Sequence, residues 1–159
     1  MTRRLSHVGP SGEARMVDVS GKPVTERTAR AAGTIRMAPE TLAAIRSNSV
    51  KKGDVVGVAR IAGIMAAKRT ADLIPLCHPL PLEDIQLSLA PDDSIPGIRA
   101  EATVRATART GVEMEAIIAV TISLVTVYDM AKGMDRAMTI SDIAVQSKTG
   151  GQKGDFARG

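Results

Sequence analysis

The chemistry-bearing residues of the chain fall in a few short stretches, each punctuated by Pro or Gly. Pro75-Leu76-Cys77-His78-Pro79 carries the only cysteine and one of two histidines. A helix cannot run through two such prolines, so this is a rigid turn that holds polar groups in place. Lys68 and Arg69 lie just upstream. Lys52-Gly53-Asp54 is a turn in which Asp54 can cap a following helix. A lysine beside a helix N-terminus is a natural anion site, because unpaired N–H groups and the helix dipole favour negative charge there. Asp129 and Lys132 are three residues apart and share a helix face, as an acid/base pair or an ordinary surface ion pair. Glu113 and Glu115 stand at the other end of the same segment. Lys148-Thr149-Gly150-Gly151-Gln152-Lys153-Gly154 lacks the spacing of a P-loop, yet its amides and two lysines could wrap an anion.

These groups must be positioned by a chain of 159 residues, long enough for one domain with a real core. We expect a single domain over 1–159, with 1–15 and 149–159 flexible. The core must be aliphatic, since the chain has one Tyr, one Phe and no Trp. So few aromatics argue against a base-stacking nucleic-acid binder. The net charge of +4 suits an anionic small substrate, with the basic residues spread rather than clustered. One cysteine excludes an internal disulfide and a cysteine-based zinc cage. No apolar run reaches the roughly 20 residues of a bilayer span, and no apolar core follows Arg3-Arg4. The expectation is a cytoplasmic protein without membrane or nucleic-acid partners.

The periodicity gives the elements. Residues 24–37 read as a strand, Pro39–Ser47 as a short extra helix near the front, and Val55–Leu73 as a helix with Val58, Ile61, Met65 and Leu73 on one stripe. Ile85, Leu87 and Leu89 alternate with polar residues, as do Ile98–Arg109, giving a hairpin. Residues 111–134 are too long for a strand and read as a helix apolar on every side, which must be buried on every side. A sheet covers only one face of it, so the other predicts a subunit interface. Ala137–Val145 is a last strand. The order is that of an α+β, ferredoxin-like β-α-β-β-α-β fold with an antiparallel sheet and helices on one face. In such a fold Lys52, the Pro75–Pro79 turn and the two ends of the long helix lie apart, and a dimer packing long helix on long helix brings them together.

The combination of Asp72-Leu73-Ile74-Pro75-Leu76-Cys77-His78-Pro79-Leu80, Thr110-Gly111-Val112-Glu113-Met114-Glu115-Ala116, Tyr128-Asp129-Met130-Ala131-Lys132 and Lys148–Phe156 resembles the MoaC family of molybdenum cofactor biosynthesis. Further matches are Met16–Ser20, Lys52–Val55, Arg60–Ile64 and Ala67–Thr70, so the likeness runs over nearly the whole chain in order. The resemblance implies a ferredoxin-like homohexamer, a trimer of dimers with active sites at the dimer interface. It implies cyclic pyranopterin monophosphate synthesis, a phosphorus–oxygen lyase reaction that converts a cyclised dihydroguanosine triphosphate with release of pyrophosphate. It implies catalytic roles for Asp129, Lys52 and Lys132 and substrate contacts from Leu76, Cys77, His78, Met114 and Glu115. Arg27, Lys68 and Arg69 match basic positions facing phosphate, and Lys148 and Lys153 match the family's last segment. No cofactor is implied, Mg²⁺ being possible on the phosphates, and no carboxylate cluster demands a metal. Lys132 is expected to be partly neutral among neighbouring cations and to work with Asp129. A non-catalytic nucleotide sensor needs the same cations but not the Asp129, Lys132, His78 and Glu115 set.

Overall fold

The structure is a computed structural model, and the residues described are 11–152 and 154–159. Lys153 and the first ten residues lie outside the described residues. The elements in order are β1 (Thr25–Arg36), α1 (Pro39–Arg46), α2 (Val55–Ala67), α3 (Thr70–Leu73), β2 (Asp84–Asp92), β3 (Gly97–Ala108), α4 (Glu113–Ala131), β4 (Thr139–Thr149) and β5 (Phe156–Ala157). The fold is α+β. The described residues form one five-stranded antiparallel sheet, ordered β2-β3-β1-β4-β5.

Period-two alternation decides which face of the sheet is covered. Along β3, Ala100, Ala102, Val104, Ala106 and Ala108 are buried, while Arg99, Arg105 and Thr107 face outward. α4 lies across the apolar face against β1, β3 and β4, and α2 packs on α4 and β2. At 19 residues with a mean hydropathy of 1.6, α4 meets the length and composition of a membrane span. Here it is the core helix instead. Ala116, Ala119, Val120, Leu124 and Val127 are fully enclosed.

α2 covers only part of the α4 face turned from the sheet; Val125 on that helix is 45% exposed. The large stripe of α2 does not enter the core. Val58, Ile61 and Met65 are 45%, 62% and 49% exposed, and Leu73 is also exposed. The buried face of α2 is Val55, Ala59, Gly63, Ala66 and Ala67. Small residues allow the two backbones to approach closely; a Cβ on Gly63 would lie 2.6 Å from the Ala119 carbonyl oxygen and 2.4 Å from Leu87 Cδ2. One expectation is corrected: the helix from Val55 does not continue to Leu73. It ends at Ala67 with Lys68 as its C-cap, and Arg69 precedes the separate turn α3. The tail read as flexible contains β5, which pairs with Ser147 and Lys148 of β4.

Gly63→Ala should lower the free energy of unfolding by about 1–3 kcal/mol through overpacking. That outweighs the helix-propensity gain of roughly 1 kcal/mol. Urea titration measures the difference, and unchanged or raised stability would show that α2 and α4 are not in the close contact described.

Candidate active site

The polar residues gather at the two ends of α4. At its C-terminal end, Asp129 lies between two lysines. Lys132 Nζ is 2.7 Å from Asp129 Oδ1. Lys52 Nζ donates to Asp129 Oδ2 at 2.8 Å and to the Asp129 carbonyl at 2.9 Å. The ammonium groups thus sit where unpaired helix carbonyls and the negative end of the dipole attract cations. Lys52 is delivered by the turn before α2. Gly53 has φ +89, a conformation that favours glycine, and Asp54 Oδ1 caps α2 by accepting from Gly57 N at 2.8 Å. The expected Asp54 cap is present. Lys52, however, reaches the C-terminus of α4, so these two regions meet within one chain rather than lying apart.

The loop after α4 completes this end. Tyr128 donates its hydroxyl to the Arg136 carbonyl at 3.2 Å. Asp135 accepts from Ala38 N at 2.8 Å and Ala137 N at 2.9 Å. The resulting cavity, about 610 Å³, is lined by Lys51, Lys52, Asp129, Lys132 and Arg136 over a floor of Val50, Met130 and Met134. Four cationic side chains face one carboxylate. Hydrogen bonds from Lys132 and then Lys52 hold the Asp129 carboxyl down to about 2. Asp129 in turn raises the Lys132 ammonium above the ordinary lysine range. This corrects the expectation of a partly neutral Lys132: its nearest charge is the carboxylate, and the free chain holds an ammonium there. The sequence leaves open which of Lys51 and Lys52 reaches a ligand, and both line this cavity. Arg136 was not among the expected site residues and gave no periodic signal.

The other end of α4 faces the Pro75–Pro79 turn. Leu76, Cys77, His78, Met114 and Glu115 line one cavity of about 460 Å³, with Lys22, Thr110, Gly111 and Glu113. Val17 and Val19 from the N-terminal arm close part of it. Asp18, between them, accepts from Ser20 N at 2.9 Å. Lys68 and Arg69 line a smaller adjoining hollow that shares His78 and Glu115. Lys148 of β4 pairs with Glu113 at 3.1 Å. Arg27 is buried, only 8% exposed, and donates to the carbonyls of Ala108 and Arg109 at 3.3 and 3.4 Å. Lys153 lies outside the described residues. The 113-to-115 spacing was visible in the sequence, but Glu113's pairing with Lys148 depends on β4 and was not.

Glu115 is 4% exposed. Burial pushes its carboxyl up to about 7, with the charge of Glu113 adding to the effect. Burial, followed by the charge of Glu115, also raises the Cys77 thiol. Cys77 therefore stays a thiol at neutral pH, which suits contact rather than nucleophilic attack. Among the described residues no group of three or more His, Cys, Asp or Glu is spaced to hold a metal ion.

One chain thus carries two polar half-sites. Glu115 and Asp129 are 14 residues apart on one helix, or about 21 Å at the α-helical rise. The sequence comparisons bear on what such halves serve. A family model described as the MoaC family matches residues 16–151. The chain belongs to the MoaC family. A protein of Dinoroseobacter shibae named cyclic pyranopterin monophosphate synthase is 57% identical over 152 residues, covering 96% of both chains. Proteins of the same name from Brucella ovis and Brucella melitensis are each 54% identical over 157 residues, covering 99% of this chain and 95% of theirs. The MoaC match takes in both half-sites, ending just after Lys148.

The Glu115 environment sets a pH dependence. Its folded pKa lies above the unfolded value, so the folded state holds more protons between about pH 4.5 and 7. The carboxyl therefore costs stability progressively as pH rises through that window, by about 3 kcal/mol at most above it. Glu115→Gln should raise stability relative to wild type at pH 8 but not at pH 4.5, by denaturant titration at both values. An equal difference at the two pH values would place Glu115 in an ordinary aqueous environment.

Proposed function

We propose that this chain is a cyclic pyranopterin monophosphate synthase of molybdenum cofactor biosynthesis, acting on a cyclised dihydroguanosine triphosphate and releasing pyrophosphate. The observation that carries the reading is the Lys52–Asp129–Lys132 cluster, present in a chain more than half identical to relatives of that name. A sensor that only bound a nucleotide would need the surrounding cations but not a carboxylate locked between two lysines.

The chemistry follows from the charges. In the phosphorus–oxygen lyase reaction a substrate hydroxyl oxygen bonds to the α-phosphorus, the bond to pyrophosphate breaks, and the hydroxyl proton passes to a base. Negative charge grows on the departing pyrophosphate. The cationic cavity of Lys51, Lys52, Lys132 and Arg136 is preorganised to stabilise such charge. Asp129 holds the two lysines in place while they are protonated, so Lys132 first acts as a proton donor or charge partner. Entry of an anionic substrate beside Asp129 frees one ammonium from the carboxylate and lets the pair exchange protons during ring opening and pterin closure. Lys52 shuttles a proton or holds the triphosphate. At the other half-site, Leu76, Cys77, His78, Met114 and Glu115 bind the substrate, a protonated Glu115 being able to donate as well as accept a hydrogen bond. Lys68, Arg69 and Lys148 supply charge there, and Lys153 does so in the family pattern. No redox cofactor is required. Mg²⁺, where present, rides on the substrate phosphates.

The reading includes a ferredoxin-like topology, supported by the order β2-β3-β1-β4 with α2 and α4 between strands. α1 is then the short helix added to it. It also includes one domain over the whole chain, a cytoplasmic location, no nucleic-acid or membrane partner, and a homohexamer of three dimers. Two things support assembly. The half-sites of one chain are too far apart for one nucleotide-sized ligand to span in full. The apolar stripe Val58, Ile61 and Met65 is left uncovered by the chain's own core. Each active site is then built from the Lys52 end of one protomer and the His78 end of its partner.

Lys52→Ala should cut formation of pyrophosphate and oxidisable pterin from the cyclised dihydroguanosine triphosphate by at least roughly 10²-fold. Circular dichroism and oligomer size should be unchanged. Near wild-type turnover by this variant would remove Lys52 from the mechanism.

A further inference from the structure

Resting on the activity just proposed, we infer that Arg27 is a positioning residue that fixes two substrate-bearing segments against each other, rather than a contact to substrate phosphate. The residue is almost wholly enclosed, at 8% exposure. Nε donates to the Ala108 carbonyl at 3.3 Å and Nη2 to the Arg109 carbonyl at 3.4 Å. Those carbonyls belong to the last residue of β3 and the one after it, immediately before the Thr110-Gly111 segment that enters the His78 cavity and leads to Glu113 and Glu115.

The opposite side of the same guanidinium meets the double-glycine turn after Lys148. Gly150 and Gly151 have φ +87 and +88. A Cβ on Gly151 would lie 1.7 Å from Arg27 Nη1, and one on Gly150 would lie 2.1 Å from the Glu26 carbonyl oxygen. The turn is thus seated on Arg27 with no room for a side chain. Its base is closed by Gly150 N donating to Asp155 Oδ1 at 3.1 Å. The register Ala29↔Lys148 and Thr28↔Thr149 carries the same alignment along β1 and β4. Lys148 consequently meets Glu113 from a fixed direction. A planar fork can hold two carbonyls and the turn at once; an ammonium has the charge without that geometry.

The test compares Arg27→Met, Arg27→Lys and Gly151→Ala by hydrogen exchange and steady-state kinetics. Exchange in peptides spanning 148–152 and 109–111 should speed up roughly tenfold or more in all three variants, with α4 still protected. KM should rise by about 10- to 100-fold with a much smaller change in kcat, as expected for misplaced binding groups. The Arg27→Met/Gly151→Ala double variant should be little worse than either single one, because both break one contact. Arg27→Lys with wild-type KM and exchange would assign the role to charge and overturn the inference. So would multiplicative costs in the double variant, or exchange rising equally throughout α4 and β1. The exchange measurement needs no substrate. If wild type fails to turn over, the proposed activity falls while the role of Arg27 is still decided.

Discussion

The structure depends on the burial of α4. A helix whose middle is apolar on every side needs cover on every side, and two surfaces of the chain supply most of it, leaving Val125 45% exposed. The sheet supplies the alanine-rich face of β3 with β1 and β4. α2 supplies Ala59, Gly63, Ala66 and Ala67. The second contact is close because the residues are small, and that closeness brings the turn before α2 to the end of α4. Lys52 reaches Asp129 for this reason. The first half-site is therefore a consequence of how two helices pack.

The charged residues of α4 stand at its two ends, and these differ electrostatically. The start carries Glu113 and Glu115, and the end is clasped by Lys52 and Lys132. Both arrangements suit the helix dipole. They also separate two kinds of environment. At the C-terminal end Asp129 is exposed and flanked by cations, which holds it ionised. At the N-terminal end Glu115 is buried beside another acid, which keeps it protonated until near neutrality. Two carboxyls on one helix are thus tuned in opposite directions by solvent access and neighbours.

Much of this was legible in the sequence. The strands, the hairpin, the long helix and the Asp54 cap follow from periodicity and turn chemistry. The Asp129–Lys132 pair follows from three-residue spacing, and the Pro-bracketed turn marked His78. What was not legible depended on a packing partner. Periodicity puts the large residues Val58, Ile61 and Met65 on one stripe of the helix but does not say whether that stripe is the buried one. The structure buries the small stripe, because α4 presents a surface of Ala116, Ala119 and Ser123 that only small residues approach. Lys52 and Asp129 are 77 positions apart, beyond any local pattern. The carbonyl partners of Arg27, 81 and 82 positions away, become visible only once β1 and β3 are in register.

The central claim is that two half-sites at opposite ends of α4 serve one reaction across a subunit boundary. Mixing Lys52→Ala with His78→Ala chains tests it most directly. Each variant alone should be inactive. Random co-assembly of equal amounts should restore about a quarter of wild-type turnover, because half of the two-fold dimers are mixed and each mixed dimer has one intact site. Mixed assemblies as inactive as the separate variants would contradict a shared site and confine the chemistry to one end of one chain.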